Sequence, residues 1–180
     1  MDYAICLLLD TTTETAFTNI INAIADGTAE RYMVDTKIPP HITIAFFQTE
    51  KIEPIIEIIN DNIRDMPTGE IVWASLGAFV PQCIFAAPVM TDYLQNACVN
   101  ANRLVASLSQ PGDGGHYLPG QWVPHTALTV KLTPERLNTA FEIASRHFTF
   151  LHGRSTRLLL AECNPFKEVR VWDLEAIQNE

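Results

Sequence analysis

The chain has 180 residues, of which 47% are apolar, 12 are Lys or Arg and 21 are Asp or Glu, for a formal net charge of −9. The apolar fraction supplies a sizeable core and excludes global disorder, and the length suits one compact domain or two small lobes sharing a core. The acidic balance argues against wrapping a long duplex nucleic acid through phosphate neutralisation, while leaving room for a small anion or an RNA end in a local pocket.

Residues 3–9 (YAICLLL) are a near-continuous apolar run that predicts a buried strand. Thr11 to Thr13 then offer N-caps for a helix with Phe17, Ile20, Ile21 and Ile24 on one face, closed by Gly27. A polar loop with Arg31, Tyr32 and Lys37 leads to a strand at about 41–47. The next helix places Ile52, Ile55, Ile56, Ile59 and Ile63 on one stripe, and strands follow near 70–80 and 83–88, split by Pro81-Gln82. Thr91 caps a helix bearing Leu94, Cys98, Ala101, Leu104, Val105 and Leu108. A Gly-rich loop at about 110–121, with the character of a mobile lid, leads to a strand at 125–131. Thr133-Pro134 opens a last helix with Leu137, Ala140, Phe141, Ala144 and Phe148 on its stripe. Strands near 155–162 and 167–174 finish the chain.

Two short segments are versions of each other. Residues 39–46 read Pro-Pro-His-Ile-Thr-Ile-Ala-Phe, and residues 123–130 read Val-Pro-His-Thr-Ala-Leu-Thr-Val. His41 and His125 stand 84 positions apart. The same offset carries Ile20, Ile21 and Ile24 onto Leu104, Val105 and Leu108, and an offset of 85 carries the Ile52–Ile63 stripe onto the last helix. The expected fold is therefore α+β. It is a single bilobal domain over 1–180 from an internal duplication, with lobes of about 1–80 and 81–180. Each lobe is a mostly antiparallel sheet with flanking helices, a cleft lies between them, and strand exchange between the lobes is left open.

Alternation along the strands gives the site. His41, Thr43 and Ala45 share one face, with Ile42, Ile44 and Phe46 on the other; His125, Ala127 and Thr129 share a face, with Leu128 and Val130 packed inward. A strand's apolar set belongs in the core, so both histidines line an open surface. Histidine is the side chain whose unperturbed pKa allows both proton uptake and proton delivery near neutral pH. Displacement at phosphorus needs one of each, and a hydroxyl two residues on can donate to a non-bridging phosphoryl oxygen. His116, His147 and His152 have no such context.

On these residues the chain resembles the 2H phosphoesterase superfamily, which contains the 2'-5' RNA ligase (LigT-like) proteins and cyclic nucleotide phosphodiesterases. Its signature is a pair of His-x-Thr/Ser motifs, each followed by an apolar residue. His41-Ile42-Thr43-Ile44 matches in full; His125-Thr126-Ala127-Leu128 has Ala127 where the hydroxyl belongs. The resemblance implies a metal-independent phosphodiesterase acting on 2',3'-cyclic phosphates or on RNA or nucleotide termini, in some members with 2'-5' ligation as the reverse reaction. His41, His125 and Thr43 are then the catalytic residues, and no cofactor is needed. Ala127 leaves three outcomes open: a slow enzyme, a shifted substrate, or a degenerate module that binds a nucleotide or RNA end without turnover. Thr126 replaces the missing hydroxyl only if a bulge re-aims it.

Thr126 and Lys131 are the candidate phosphate contacts near the second motif, and Tyr117 and Trp122 in the loop QPGDGGHYLPGQW are candidates for stacking on a base. A metallohydrolase with His41 and His125 as ligands is the remaining rival, but no acidic residue stands at metal-ligand spacing from either. Cys6, Cys83, Cys98 and Cys163 are scattered without a C-x-x-C pair, as expected of reduced thiols. No apolar run approaches membrane-spanning length and the N-terminus has no basic signal-like start, so a cytoplasmic monomer is expected.

Overall fold

The computed structural model describes residues 1–176. The opening apolar run forms β1 (Asp2–Leu9), in which seven of eight residues are buried. Burial on both faces follows from its central place: β2 (His41–Gln48) pairs antiparallel with one edge and β7 (Leu151–Cys163) with the other.

β7 is longer than the expected strand at 155–162 and joins two sheets. Over Leu151–Arg154 it pairs with β3 (Glu70–Phe79), and over Arg157–Glu162 with β8 (Lys167–Asp173). One sheet is β5 (Gln110–Pro111), β2, β1, β7 and β8; the other is β6 (Thr126–Thr129), β4 (Cys83–Pro88), β3 and the start of β7, all antiparallel. Strands therefore cross between the halves of the chain, since β3 sits with β4 and β6 while β7 and β8 sit with β1. Residues 177–180, which fall in the expected second lobe, lie outside the described residues.

The helices cross over as well. α1 (Thr11–Thr28) buries Phe17, Ile20, Ile21 and Ile24 and packs on β6 and alongside α5 (Pro134–His147). α4 (Asp92–Val105), capped by Thr91 as its sequence predicts, packs on β2, and α3 (Ile52–Asn62) lies beside it. The leading helix of each half thus backs the histidine strand of the other. Among the described residues no helix is long and apolar enough to cross a membrane.

Local details differ from the sequence reading for identifiable reasons. The N-cap of α1 is Asp10, not one of the threonines after it. Gly27 does not end α1; the helix closes at Ala29, which takes the left-handed conformation (φ 58°) and donates its N–H to the Ala25 carbonyl. The glycine makes room for α5 instead, because a Cβ there would collide with Ile143. The same close approach explains why Ala140 and Ala144 are the buried residues of α5, while Phe141, expected on that stripe, is 39% exposed. The loop with Arg31 and Lys37 contains a short helix, α2 (Tyr32–Asp35).

The start of α1 is tied to β7 through one carboxylate. Asp10 accepts from the Thr13 amide (3.0 Å), the Thr13 hydroxyl (2.7 Å) and the Arg154 amide (2.9 Å). Gly153 is required beside this cluster because a Cβ would collide with the Thr13 side chain. Gly153→Ala is expected to destabilise the protein by about 1–3 kcal/mol through forced displacement of Thr13, and Asp10→Ala by about 1–2 kcal/mol through loss of the cap. In a denaturant double-mutant cycle the two losses should fall short of additive; full additivity would show that the glycine and the cap act independently.

Candidate active site

His41 is the first residue of β2 and His125 immediately precedes β6. These two strands are separated by β1, β7, β3 and β4 along the hydrogen-bonded path, yet their backbones approach within 8 Å. Both rings are held alike. His41 Nδ1 lies 2.7 Å from the Pro39 carbonyl, and His125 Nδ1 lies 2.8 Å from the Val123 carbonyl, two residues upstream in each case. A carbonyl only accepts, so Nδ1 carries the proton in each neutral ring and Nε2 keeps its lone pair. Burial pushes both pKa values below the usual histidine range, against the raising effect of each carbonyl bond; for His125 the charge of His41 adds to the depression.

The register explains which side chains accompany the rings. Along β2 the pairing runs Leu8↔His41, Leu7↔Ile42, Cys6↔Thr43 and then Ile5↔Ala45, so Ile44 is an extra residue. Along β6 it runs Ala86↔Thr126, Phe85↔Ala127 and then Ile84↔Thr129, so Leu128 is extra. Each motif therefore carries a bulge at its fourth residue. Up to that point alternation holds, and Thr43 shares the face of His41. Beyond it the parity flips. Ala45, expected on the open face, joins the main core, and Phe46, expected inside, turns out beside Ala4, Cys6 and Leu8. Thr129, expected on the open face, is likewise buried.

The bulge in the first motif is anchored from outside the sheet. Trp122 Nε1 donates to the Thr43 carbonyl (2.9 Å). Asn102 Nδ2, on α4, lies within hydrogen-bonding distance of the Ile44 carbonyl (3.1 Å) and the Tyr117 carbonyl (3.0 Å). Gly112 donates to the Phe46 carbonyl (3.1 Å), and Gln110 and Pro111 pair with β2. The loop expected to act as a free lid is thus tied to the first motif at several points. Trp122, expected to stack on a base, is buried and serves as one of the ties.

The other expected contacts separate in the same way. Thr126 is fully buried and accepts from Trp73 Nε1 (3.0 Å); the bulge lies two residues beyond it and does not re-aim it. Lys131 takes a left-handed backbone (φ 60°), and its ammonium sits 3.7 Å from the centre of the Tyr32 ring. Tyr117 stays with the histidines: its ring stacks on Phe46 at 5.7 Å and lies 6.2 Å from the His125 ring.

The two halves of the site differ in chemistry. Beside Thr43 stands Cys6, its sulfur 3.5 Å from the Thr43 hydroxyl. Burial pushes the Cys6 thiol up to about 12, so it stays protonated and the pair remains neutral. Beside Ala127 stands Phe85, whose ring lies over Gly77 on β3, where a Cβ would collide with it. Phe85 and Phe79 lie 4.4 Å apart, and both contact the His125 ring, at 5.4 and 4.9 Å. Cys6, Phe46, Phe79, Phe85 and Asn102 join the site unforeseen by the sequence reading, since only strand pairing reveals them. Among the described residues no three His, Cys, Asp or Glu side chains cluster closely enough to hold a metal ion.

No protein-family model matches the sequence, and no curated protein matches it. Solved structures do match in shape along almost the whole chain. TT0787 of Thermus thermophilus is 16% identical, with a TM-score of 0.64, over 99% of this chain and 100% of that one. E. coli LigT in complex with 3'-AMP is 13% identical, with a TM-score of 0.60, over 96% and 97%. Usb1 of Kluyveromyces marxianus is 12% identical, with a TM-score of 0.53, over 97% of each. At these identities the likeness establishes the fold, which is the LigT-like one that the paired histidine motifs imply.

Thr126 provides a check on this division of side chains. Thr126→Val is expected to destabilise the protein by about 1–3 kcal/mol by orphaning the buried Trp73 N–H. Ligand affinity in the cleft should change less than twofold by calorimetry; a large loss of affinity at unchanged stability would return Thr126 to the ligand.

Proposed function

We propose that the chain is a metal-independent phosphodiesterase of the 2H type, hydrolysing 2',3'-cyclic phosphates or acting on RNA or nucleotide termini, with 2'-5' ligation following where a 5'-hydroxyl replaces water as the attacking group. The observation that carries this reading is the pair of matched Nδ1–carbonyl bonds, which fixes two rings in one tautomer and leaves two Nε2 atoms for proton transfer. The fold shared with LigT and Usb1 supports it, as does the 3'-AMP held by the LigT structure.

The chemistry follows from the geometry. One neutral histidine takes a proton at Nε2 from the attacking water as its oxygen bonds to phosphorus. The other, protonated, delivers a proton to the ribose oxygen as its bond to phosphorus breaks. The Thr43 hydroxyl donates to a non-bridging oxygen, and Cys6 S–H is free to donate to the Thr43 oxygen in turn. The product is a nucleoside monophosphate. Each proton transfer contributes roughly 10²–10⁴-fold, so the two together lower the barrier by about 5–11 kcal/mol. A second reading, a module that binds such an end without turnover, is favoured by the methyl of Ala127 where a second hydroxyl belongs; tight binding of a cyclic phosphate that survives intact identifies it.

Steady-state hydrolysis of nucleoside 2',3'-cyclic phosphates in excess EDTA tests the mechanism. Wild type should be unaffected by the chelator, and His41→Ala and His125→Ala should each lower kcat/KM by about 10²–10⁴-fold. Activity that either substitution leaves intact contradicts the two-histidine mechanism, and activity that EDTA abolishes contradicts metal independence.

The pH profile gives a second test. Both pKa values are depressed from the ordinary 6.5, so loss of the acid's proton begins below that value. The kcat/KM of the free enzyme should peak on the acid side of pH 6.5 and fall by about tenfold per unit once the acid is deprotonated. A profile that rises between pH 6 and 8 would show that burial does not control these rings.

A further inference from the structure

The missing hydroxyl of the second motif has a structural replacement. In a duplicated site, Thr43 and position 127 face the reacting phosphoryl group from opposite sides, and at 127 the chain offers only a methyl group. Thr126 is committed to Trp73, Thr129 is buried, and Lys131 is over the Tyr32 ring. One hydroxyl-bearing ring remains near His125. The Tyr117 ring lies 6.2 Å from the His125 ring and rests on Phe46, the first side chain to emerge from β2 after the bulge. Tyr117 therefore spans the two histidine strands.

Its placement is held rather than incidental. The Tyr117 carbonyl lies within hydrogen-bonding distance of the Asn102 amide (3.0 Å), which also reaches the carbonyl of Ile44 in the bulge (3.1 Å). Trp122, five residues on, donates to Thr43 itself. The loop is thus registered on the residue that bears the first motif's hydroxyl. Among the described residues the Tyr117 side-chain oxygen has no hydrogen-bond partner, and no fully buried side-chain oxygen is left unpaired, so this hydroxyl is not fully enclosed in the half-buried side chain.

We propose that Tyr117 is a catalytic residue whose hydroxyl donates to a non-bridging phosphoryl oxygen, taking over the role that Ala127 cannot perform. This rests on the phosphodiesterase reading above. The phenol suits the task because burial and the nearby Asp113 carboxylate push its pKa upward, keeping it a neutral donor. No proton leaves it: the donor strengthens as charge develops on the oxygen and relaxes when product departs. Phe46 covers one face of the ring, so stacking on a base, the other use of a tyrosine here, is confined to the opposite face.

The test is Tyr117→Phe, assayed for turnover of nucleoside 2',3'-cyclic phosphates and, separately, for binding of adenosine 3'-monophosphate. The phenylalanine keeps the packing on Phe46 and removes only the hydroxyl. Expected is a drop in kcat of about 10²–10³-fold with KM within threefold, in line with the loss of one oxyanion donor. Introducing Ala127→Thr into that variant should recover at least about tenfold, a rescue that a packing role would not produce. Turnover within threefold of wild type, or a drop without rescue, overturns the assignment and leaves the phosphodiesterase reading standing. If wild type hydrolyses none of these esters but binds the monophosphate, the catalytic assignment falls with the hydrolytic reading, and a tenfold weakening by Tyr117→Phe would leave the hydroxyl a binding contact only. Neither turnover nor binding in wild type overturns both.

Discussion

The site depends on a bulge placed at the same point in both histidine motifs. A regular strand offers its two faces a strict alternation, which cannot send His41 and Thr43 into a cleft and then, within four residues, return Ala45 and Phe47 to the core on the parity they occupy. One extra residue, Ile44 or Leu128, resolves the conflict. It keeps the His-x-Thr or His-x-Ala pair on one face, with Thr43 itself largely buried beside Cys6, and lets the remainder of the strand resume packing. The peptide groups at a bulge lose their regular ladder partners, and buried backbone groups need replacements. In the first motif those are the Trp122 indole and the Asn102 amide. The Gly-rich loop is therefore part of the first motif's hydrogen bonding, which is why shaping the bulge also positions Tyr117.

The two histidine motifs share a backbone pattern and differ in their lining. In the first sheet the row across the strands is Leu159, Cys6 and Thr43; in the second it is Gly77, Phe85 and Ala127. The two rows have been exchanged in size as well as polarity. Gly77 admits the Phe85 ring, and Phe85 with Phe79 builds an aromatic wall against His125. A hydroxyl at 127 would stand next to that wall with no polar neighbour equivalent to Cys6. Ala127 is thus one element of a coordinated change in surroundings. Two histidines held alike at Nδ1 thus have polar neighbours on one side and aromatic ones on the other.

What the sequence made legible was periodic. The stripes of α1 and α4, the strand character of 3–9 and the cap at Thr91 all rest on spacings a few residues long, and the structure follows them. What it concealed depends on contacts distant in sequence. Gly27 has the composition of a helix stop, but its function is to let Ile143 approach from more than a hundred positions away. Lys131 reads as a phosphate contact until a left-handed backbone and Tyr32 capture it. Trp122 reads as a stacking platform because no local rule says that the Thr43 carbonyl needs a donor. The parity flip at each bulge is of the same kind: alternation alone extrapolates past it, and only the register with the neighbouring strand exposes the extra residue.

The two rings also titrate as a pair. The charge of either opposes the charge of the other, so the first proton to bind makes the second harder to bind. The singly protonated state, one acid and one base, is the one that two-step proton transfer requires, and mutual repulsion widens the pH range over which it dominates. Burial works in the opposite sense by lowering both affinities for protons, which thins that state at neutral pH in the empty site. A phosphodiester anion lodged between the rings corrects this, because a nearby negative charge favours imidazolium and raises the acid's pKa. In the proposed reaction the substrate would thereby draw in the proton needed for its own cleavage. A neutral donor, the role proposed for Thr43 and Tyr117, would hold the anion without competing for that effect, whereas a lysine ammonium beside the rings would offset the anion's charge and leave the acid deprotonated. The diversion of Lys131 to Tyr32 is consistent with a site that relies on hydroxyls to grip phosphate and reserves positive charge for the proton being transferred.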